Sequence, residues 1–255
     1  MMLMKQLPHI VLLQTRIDMF DFHTHILPKM DDGSRSVEES LALLNELKLQ
    51  GVDGVAATPH FYADRSSPET FFEQRSSAWE KLKPYIRFEM PQVRLGAEVR
   101  YFEGIARYDG LERFCIEGSN LLLLEMPQGT WTRRMIATVV ELNESRNISV
   151  LMAHIERYHR DQPKDIWKHL LRCGIKMQVS ADYVIDRKTR RTALNMLRDG
   201  SIHFLGSDCH NMTDRKPNMA DAINIIQRKI GDDFLQNMRQ RERMLLQEET
   251  GIGGG

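Results

Sequence analysis

The sequence predicts an α/β barrel, with parallel strands at the centre and crossover helices outside. Three observations predict it. Short apolar runs alternate with helical periodicities about seven times, the pattern of repeated strand–crossover–strand units. Leu121-Leu122-Leu123-Leu124 is apolar at every position, so it needs cover on both faces, as a parallel strand beneath helices has. Histidine or an acid ends run after run, which is where a barrel gathers its chemistry. An open doubly wound sheet is the alternative, but no Gly-rich dinucleotide-binding turn follows the first strand.

The bulk numbers narrow the class. The chain has 255 residues at 42% hydrophobic, enough for one sizeable core. Thirty-five Lys and Arg balance thirty-five Asp and Glu, so bulk charge favours neither nucleic acid nor a membrane surface. Cys115, Cys173 and Cys209 form no CxxC pair, which argues for a reducing cytoplasm over a disulfide scaffold. No apolar run approaches the roughly 20 residues of a membrane span. Residues 1–18 read as an N-terminal extension without a secretory pattern, or as an early start with Met19 as the natural one. Residues 19–250 read as a single domain, and the Gly-rich 251–255 as a flexible tail.

In order, Met19, Phe20 and Phe22 mark the first strand, and Pro28 and Gly33 the loop after it. His23 and His25 stand two apart, so a strand directs both to one side, about 6–7 Å apart at the backbone. Asp31 and Asp32 ride on the loop and could each bring an oxygen over the same point. Ser36 to Glu39 fits a capping box ahead of the Val37, Leu41, Leu44, Leu47 stripe, and Gly51 suits the helix end. Val52–Thr58 is the next strand, with His60 at its C-terminal edge. Pro68–Tyr85 is a helix. Val93–Glu98 is a strand ending in Glu98, and Leu121–Leu124 is one ending in Glu125. An acid closing an apolar strand needs a cation or hydrogen bonds to offset burial. Trp131–Asn147 is helical, and Ile148–Ala153 is a strand that His154 ends, with Arg157 just beyond. Helix Asp165–Cys173, strand Ile175–Ser180 and helix Thr189–Arg198 follow. Ile202–Gly206 is the last strand, with Asp208 and His210 beyond it and Arg215 shortly after. Met219–Ile230 and Phe234–Leu246 close the chain.

His23, His25, His60, Glu98, Glu125, His154, Asp208 and His210 thus collect at strand C-termini. Imidazole and carboxylate without thiolate suit Mn²⁺, Fe²⁺ or Zn²⁺ in a catalytic site. So many ligands exceed one ion and fit two or three. Such clusters activate water and clamp a phosphoryl group. Arg157 and Arg215 have the fork geometry to hold phosphate oxygens. Cys209 alternates away from its neighbours and reads as packing.

The order D-x-H-x-H, T-P-H, G-A-E, E-M-P, A-H-I-E-R-Y, S-D-C-H-N resembles the PHP (polymerase and histidinol phosphatase) superfamily. H-T-H-I-L-P-x-x-D-D-G, and S-D-C-H-N followed by R-K-P-N-M-A, make the chain similar to the CpsB/CapC-type bacterial tyrosine phosphatases of capsule and exopolysaccharide synthesis. The resemblance runs from about Met19 to about Leu246. It implies a distorted (βα)7 TIM-like barrel of the PHP type and a trinuclear site, usually supported by manganese. It implies a cytoplasmic hydrolase acting on the phosphotyrosine tail of a bacterial tyrosine kinase, through a metal-bridging hydroxide. It implies that His23, His25, Glu98 and Asp208 ligate one ion. Glu98 then bridges to a second ion held with Glu125 and His154, and Asp32, His60 and His210 complete a third site. Asp31 could substitute for Asp32. Arg157 and Arg215 match phosphate-holding positions, and His60 or His210 could donate a proton. Mg²⁺ is a further candidate ion. Cys209 replaces the common Met of S-D-M-H-N, Lys216-Pro217 stands where Pro-Pro is frequent, and the N-terminal extension leaves the oligomeric state open. The alternatives are a small-molecule phosphomonoesterase of histidinol-phosphatase type, a phosphodiesterase or exonuclease, and a non-catalytic metal-binding module.

Overall fold

In the computed structural model, which describes residues 19–247, every strand pairing is parallel. The expected extension and tail lie outside the described residues. In chain order the strands are β1 (Phe20–Thr24), β2 (Gly54–Ala57), β3 (His60–Phe61), β4 (Gln92–Leu95), β5 (Glu98–Arg100), β6 (Leu121–Glu125), β7 (Ser149–Met152), β8 (Lys176–Ser180) and β9 (Phe204–Gly206). They form a three-stranded sheet, β1-β2-β4, and a six-stranded sheet, β3-β5-β6-β7-β8-β9. Thr24 and Cys209 make a further parallel bridge. There the Asp208 N–H donates to the His23 carbonyl and the His25 N–H to the Cys209 carbonyl, both at 2.9 Å. The chain beyond β9 is thereby tied to β1. The fold is mixed α/β with parallel sheets.

Two strands differ from expectation in the same way. The strand expected over Val52–Thr58 is interrupted at Thr58-Pro59 and restarts as β3, and that expected over Val93–Glu98 is interrupted at Gly96-Ala97 and restarts as β5. Glu98 therefore opens a short strand rather than closing a long one. Pro59 has no N–H to give a ladder. The backbone bonds carry across nonetheless, from Gly96 N–H to the Ala57 carbonyl and from Glu98 N–H to the Pro59 carbonyl. The register is the same on both sides, with Ala57 opposite Leu95 and His60 opposite Glu98.

The long helices are α1 (Val37–Leu49), α2 (Pro68–Leu82), α3 (Arg133–Ser145), α4 (Lys164–Arg172), α6 (Arg190–Arg198), α7 (Met219–Lys229) and α8 (Asp232–Gln247); the short α5 (Ala181–Ile185) directly follows β8. The residues of α5 carried no helical signal of their own. Ser36, Ser67 and Thr132 cap α1, α2 and α3 by accepting from the N–H three residues on. The expected return contact of the capping box lands one residue early: Glu39 accepts from the Arg35 N–H at 2.8 Å. The four leucines of β6 divide as the fold class requires. Leu122 and Leu124 join the larger apolar cluster that includes residues of α1, α2 and α3. Leu121 and Leu123 join a smaller one with Phe20, Phe22, Ala56, Leu151 and Phe204, all from the strands. No helix among the described residues is long and apolar enough to cross a membrane.

Candidate metal centre

The sheets bring every expected site residue to one end. His23 lies in β1 and His25 just past it; His60 opens β3 and Glu98 opens β5; Glu125 closes β6. His154 follows β7, Asp208 and His210 follow β9, and Asp32 hangs from the loop after β1. Their donor atoms gather into four overlapping groups, each spanning no more than 4.8 Å. These are His25, Asp32, His60 and His210; His23, Glu98 and His154; His23, His25 and Asp208; and His60, Glu98 and Glu125. The Nε2 atoms of His23 and His25 lie 3.1 Å apart. Glu98 sits in the middle: Oε1 is 2.7 Å from His154 Nε2, and Oε2 is 3.1 Å from His23 Nε2. Glu125 Oε1 is 3.8 Å from His154 Nε2.

A ring of outer contacts aims the imidazoles. His25 Nδ1–H donates to Asp31 Oδ2 at 2.7 Å. His210 Nδ1–H donates to the Asp208 carbonyl at 2.9 Å, and His154 Nδ1 hydrogen-bonds Tyr158 Oη at 3.1 Å. His23 Nδ1 lies 3.5 Å from Gln178 Oε1, which also accepts from the His154 N–H at 2.7 Å. With Nδ1 engaged, each ring turns Nε2 inward, as outer contacts do for metal-ligating histidines. Gly206 leaves room for this packing: a Cβ there would lie 2.6 Å from His23 Cβ and 2.7 Å from Gln178 Nε2.

The unsatisfied atoms match a cation. Glu98 Oε2, His60 Nδ1 and His210 Nε2 are out of solvent without a hydrogen-bond partner. His60 Nδ1 approaches Glu98 Oε2 to 2.9 Å, yet the pair lacks hydrogen-bond geometry. Buried polar atoms converging without bonding one another call for an ion, and imidazole with carboxylate suits a divalent one. The charges agree. Burial would push Glu98 and Asp208 up, but the facing His23 and His25 hold both carboxyls well below the usual range. Burial lowers His23, and Glu98 and Asp208 more than reverse it. His210, buried beside His25, is pushed down to about 4. The pocket draws positive charge to its carboxylates while keeping one imidazole free of a proton.

Two of these residues have unusual backbones. His154 has φ +32° and Asp208 φ +53°, the left-handed region that non-glycine residues seldom adopt. Each turn redirects the chain from a strand end into the centre. Cys209, between Asp208 and His210, is buried, and burial pushes its thiol up to about 12, so it packs rather than reacts.

Two arginines stand at the rim. Arg157 Nη2 and Arg215 Nη2 donate to Asp208 Oδ2 at 2.7 and 2.8 Å. Arg157 Nη1 is 3.8 Å from Glu125, and Arg215 Nη1 is 3.6 Å from Asp32. Both stay more than a third exposed. Beyond them opens a cavity of about 360 Å³ between the turn after β7 and α5.

Three residues support the donors rather than join them, and only one of the three, Asp31, was expected at the site, as an alternative oxygen ligand to Asp32. Asp31 is buried beneath His25 and also accepts from the His60 and Gly33 N–H groups at 2.9 Å. Asp32 is 63% exposed, and its Oδ1 lies 3.4 Å from the Nε2 atoms of both His60 and His210. Of the two neighbours, Asp32 alone therefore faces the donor cluster. Gln178 and Tyr158 are the others. Tyr158 had a signal, four residues after His154 within A-H-I-E-R-Y. Gln178 had none, as one of several polar residues in a strand that also carries Lys176 and Ser180.

The family model for capsular polysaccharide synthesis, CpsB/CapC, matches residues 19–246. Tyrosine-protein phosphatase CpsB of Streptococcus agalactiae is 29% identical over 86% of this chain and 96% of its own length. Tyrosine-protein phosphatase YwqE of Bacillus subtilis is 26% identical over 91% and 93% respectively. A chain from the crystal structures of YwqE from Bacillus subtilis and CpsB from Streptococcus pneumoniae, described as unique metal-dependent tyrosine phosphatases, superposes with a TM-score of 0.78. It covers 91% of this chain and 96% of that chain at 23% identity, a likeness of fold. With its family model matched from the first strand to the last helix, the chain belongs to the CpsB/CapC family of capsular polysaccharide synthesis proteins.

Proposed function

We propose that this chain is a metal-dependent protein-tyrosine phosphatase that removes phosphate from the tail of a bacterial tyrosine kinase controlling capsule or exopolysaccharide synthesis. The observation that carries the reading is the convergence of nine imidazole and carboxylate residues beside two rim arginines. The tyrosine phosphatase names of the relatives support it. His23, His25, Asp32, His60, Glu98, Glu125, His154, Asp208 and His210 would hold two to three divalent ions, Mn²⁺ first among them. Bound ions would supply an activated water and neutralise charge at phosphorus.

The protein's own groups do the rest. Arg157 and Arg215 share Asp208 Oδ2 and point further N–H donors at the rim, where they hold the non-reacting phosphate oxygens. Water adds to phosphorus, the P–O(aryl) bond breaks, and its electron pair departs with the phenolate. A phenol with pKa near 10 is a fair leaving group, so the phenolate can take its proton from water. Gln178, Asp31 and Tyr158 keep the imidazoles in place throughout.

For the fold, we propose a distorted (βα)7 barrel in which β2 with β3, and β4 with β5, each count as one interrupted stave. The bridge from Thr24 to Cys209 supports closure. The larger apolar cluster, which runs from Met19 to Met238 on α8, supports one domain over residues 19–250. The free cysteines fit a cytoplasmic location.

The deciding experiment measures phosphate release by manganese-loaded protein from a phosphotyrosine peptide and from histidinol phosphate, with and without chelator. Chelator-sensitive turnover of the peptide is expected. Preference for histidinol phosphate would overturn the protein substrate.

A further inference from the structure

Apart from Asp208, the residues lining the cavity beyond the arginines lie outside the donor cluster. Arg157, Arg215 and Asp208 form its inner wall, and Glu156, Asp182, Tyr183 and Asp186 line it further out. At about 360 Å³ it falls within the range of roughly 300–1,000 Å³ typical of small-ligand sites. In phosphoryl transfer the attacking and leaving oxygens lie roughly in line. A phosphate held by the two arginines would lie between the donor cluster, reached through Asp208, and this cavity, which gives the ester group a place to enter.

The lining is chemically uneven. Tyr183 is the only aromatic residue among those lining it. Three carboxylates share the wall. Glu156 Oε1 accepts from the Ser180 N–H at 3.1 Å, while Oε2 is out of solvent with no hydrogen-bond partner. Asp182 Oδ1 accepts from Asn218 Nδ2 at 2.5 Å, and Asp186 Oδ1 from the Lys188 N–H at 2.9 Å. Among the described residues none of the three makes a salt bridge; burial disfavours the charge on Glu156, which also lies in the field of Arg157, so the free negative charge of the outer wall is that of Asp182 and Asp186. An aromatic side chain beside two carboxylates outside any salt bridge suits an aryl group and repels a second anion.

We infer that this cavity is the leaving-group pocket, in which Tyr183 packs against the substrate's aryl ring while Asp182 and Asp186 select phosphotyrosine peptides with cationic rather than acidic residues beside the phosphotyrosine. The inference rests on the phosphatase reading and sharpens its substrate class. It also disfavours esters carrying a second phosphate, such as bisphosphates.

The test compares kcat/KM for two phosphotyrosine peptides that differ only in having Lys or Glu on either side of the phosphotyrosine. The wild-type protein, Tyr183→Ala, Tyr183→Phe and the double variant Asp182→Asn/Asp186→Asn are each loaded with manganese, and their metal content is measured. Wild type is expected to favour the Lys peptide by about tenfold, and the double variant to lose most of that ratio. Tyr183→Ala should raise KM for both peptides by about 2–10-fold with kcat little changed, and Tyr183→Phe should restore it. Equal rates on the two peptides in wild type, or a Glu preference, overturn the pocket's charge selection. An unchanged KM in Tyr183→Ala with full metal content overturns the ring contact. Absence of turnover on both peptides, with metal bound, overturns the phosphatase reading itself and takes this inference with it.

Discussion

The Asp31 carboxylate lies 2.7 Å from His25 Nδ1 and holds that imidazole with Nε2 turned toward Glu98 and Asp208. Burial opposes the charge on Asp31, but the facing His25 and the hydrogen bonds it accepts hold its carboxyl well below the usual range. Asp31 and Asp32 are adjacent in sequence and opposite in task. Asp31→Asn should keep the ion count but weaken affinity about 10–100-fold, the usual cost of disturbing a ligand's supporting contact. Asp32→Ala should lower the ion count by about one, because a donor facing the cluster is gone. Metal titration with elemental analysis separates the two, and identical behaviour would refute the assignment.

Arg157→Ala tests the phosphate clamp. Removing a preorganised donor to developing charge costs about 10²–10³ in rate. The expected result is that loss in kcat/KM with metal content unchanged. Loss of metal would show that Arg157 acts through Asp208, to which it is bonded at 2.7 Å.

Gln178 joins two ligands from a strand that supplies none. In Gln178→Ala the His154 N–H and His23 Nδ1 lose their shared acceptor, a cost of about 1–3 kcal/mol for buried groups left unpaired. Thermal unfolding should shift down, and metal affinity with it. Gln178→Glu keeps an acceptor oxygen and should recover most of the affinity, which a general packing defect would not allow.

Stability should carry a pH signature far from the metal centre. Glu242 is buried on α8, and that burial pushes its carboxyl up to about 8, only partly offset by the Phe20 backbone and nearby arginines. An unfolded glutamate titrates near 4.3. Between about pH 4 and 8 the folded protein therefore binds the extra proton, so stability falls as pH rises. The stabilisation is fully present below that window and lost above it. Glu242→Gln should flatten the decline and stabilise the protein at pH 8 by on the order of 1–3 kcal/mol in denaturant unfolding. Parallel curves for the two proteins would count against a buried proton.

How far the sequence reaches can be judged from particular residues. The four leucines of β6 need cover on both faces, and they have it. The interruption of two strands was only half legible. Pro59 signals a lost donor, but Gly96-Ala97 breaks its strand because it lies beside Thr58-Pro59, a tertiary cause. The donor residues were legible because histidine and acid at the ends of apolar runs are costly without a purpose. Their supports were not. Nothing local says that Gln178, on β8, reaches His23 across the sheets, or that Asp31 backs His25 while Asp32 faces the donor cluster. Periodicity describes which face a residue takes, and these contacts depend on which strands become neighbours.

The paired interruptions constrain how this protein can change. Strand faces alternate every residue, so one residue added between Ala57 and His60 would turn His60 away from Glu98. The same addition between Leu95 and Glu98 would turn Glu98 away from His60. Each of the two linkers is two residues long, and the register on either side depends on that match. They behave as a fitted pair of spacers, so a length change in one survives only with a matching change in the other. Loop grafting or recombination between relatives should therefore exchange both segments together, even though 34 residues of intervening chain, including α2, separate Phe61 from the start of the second linker.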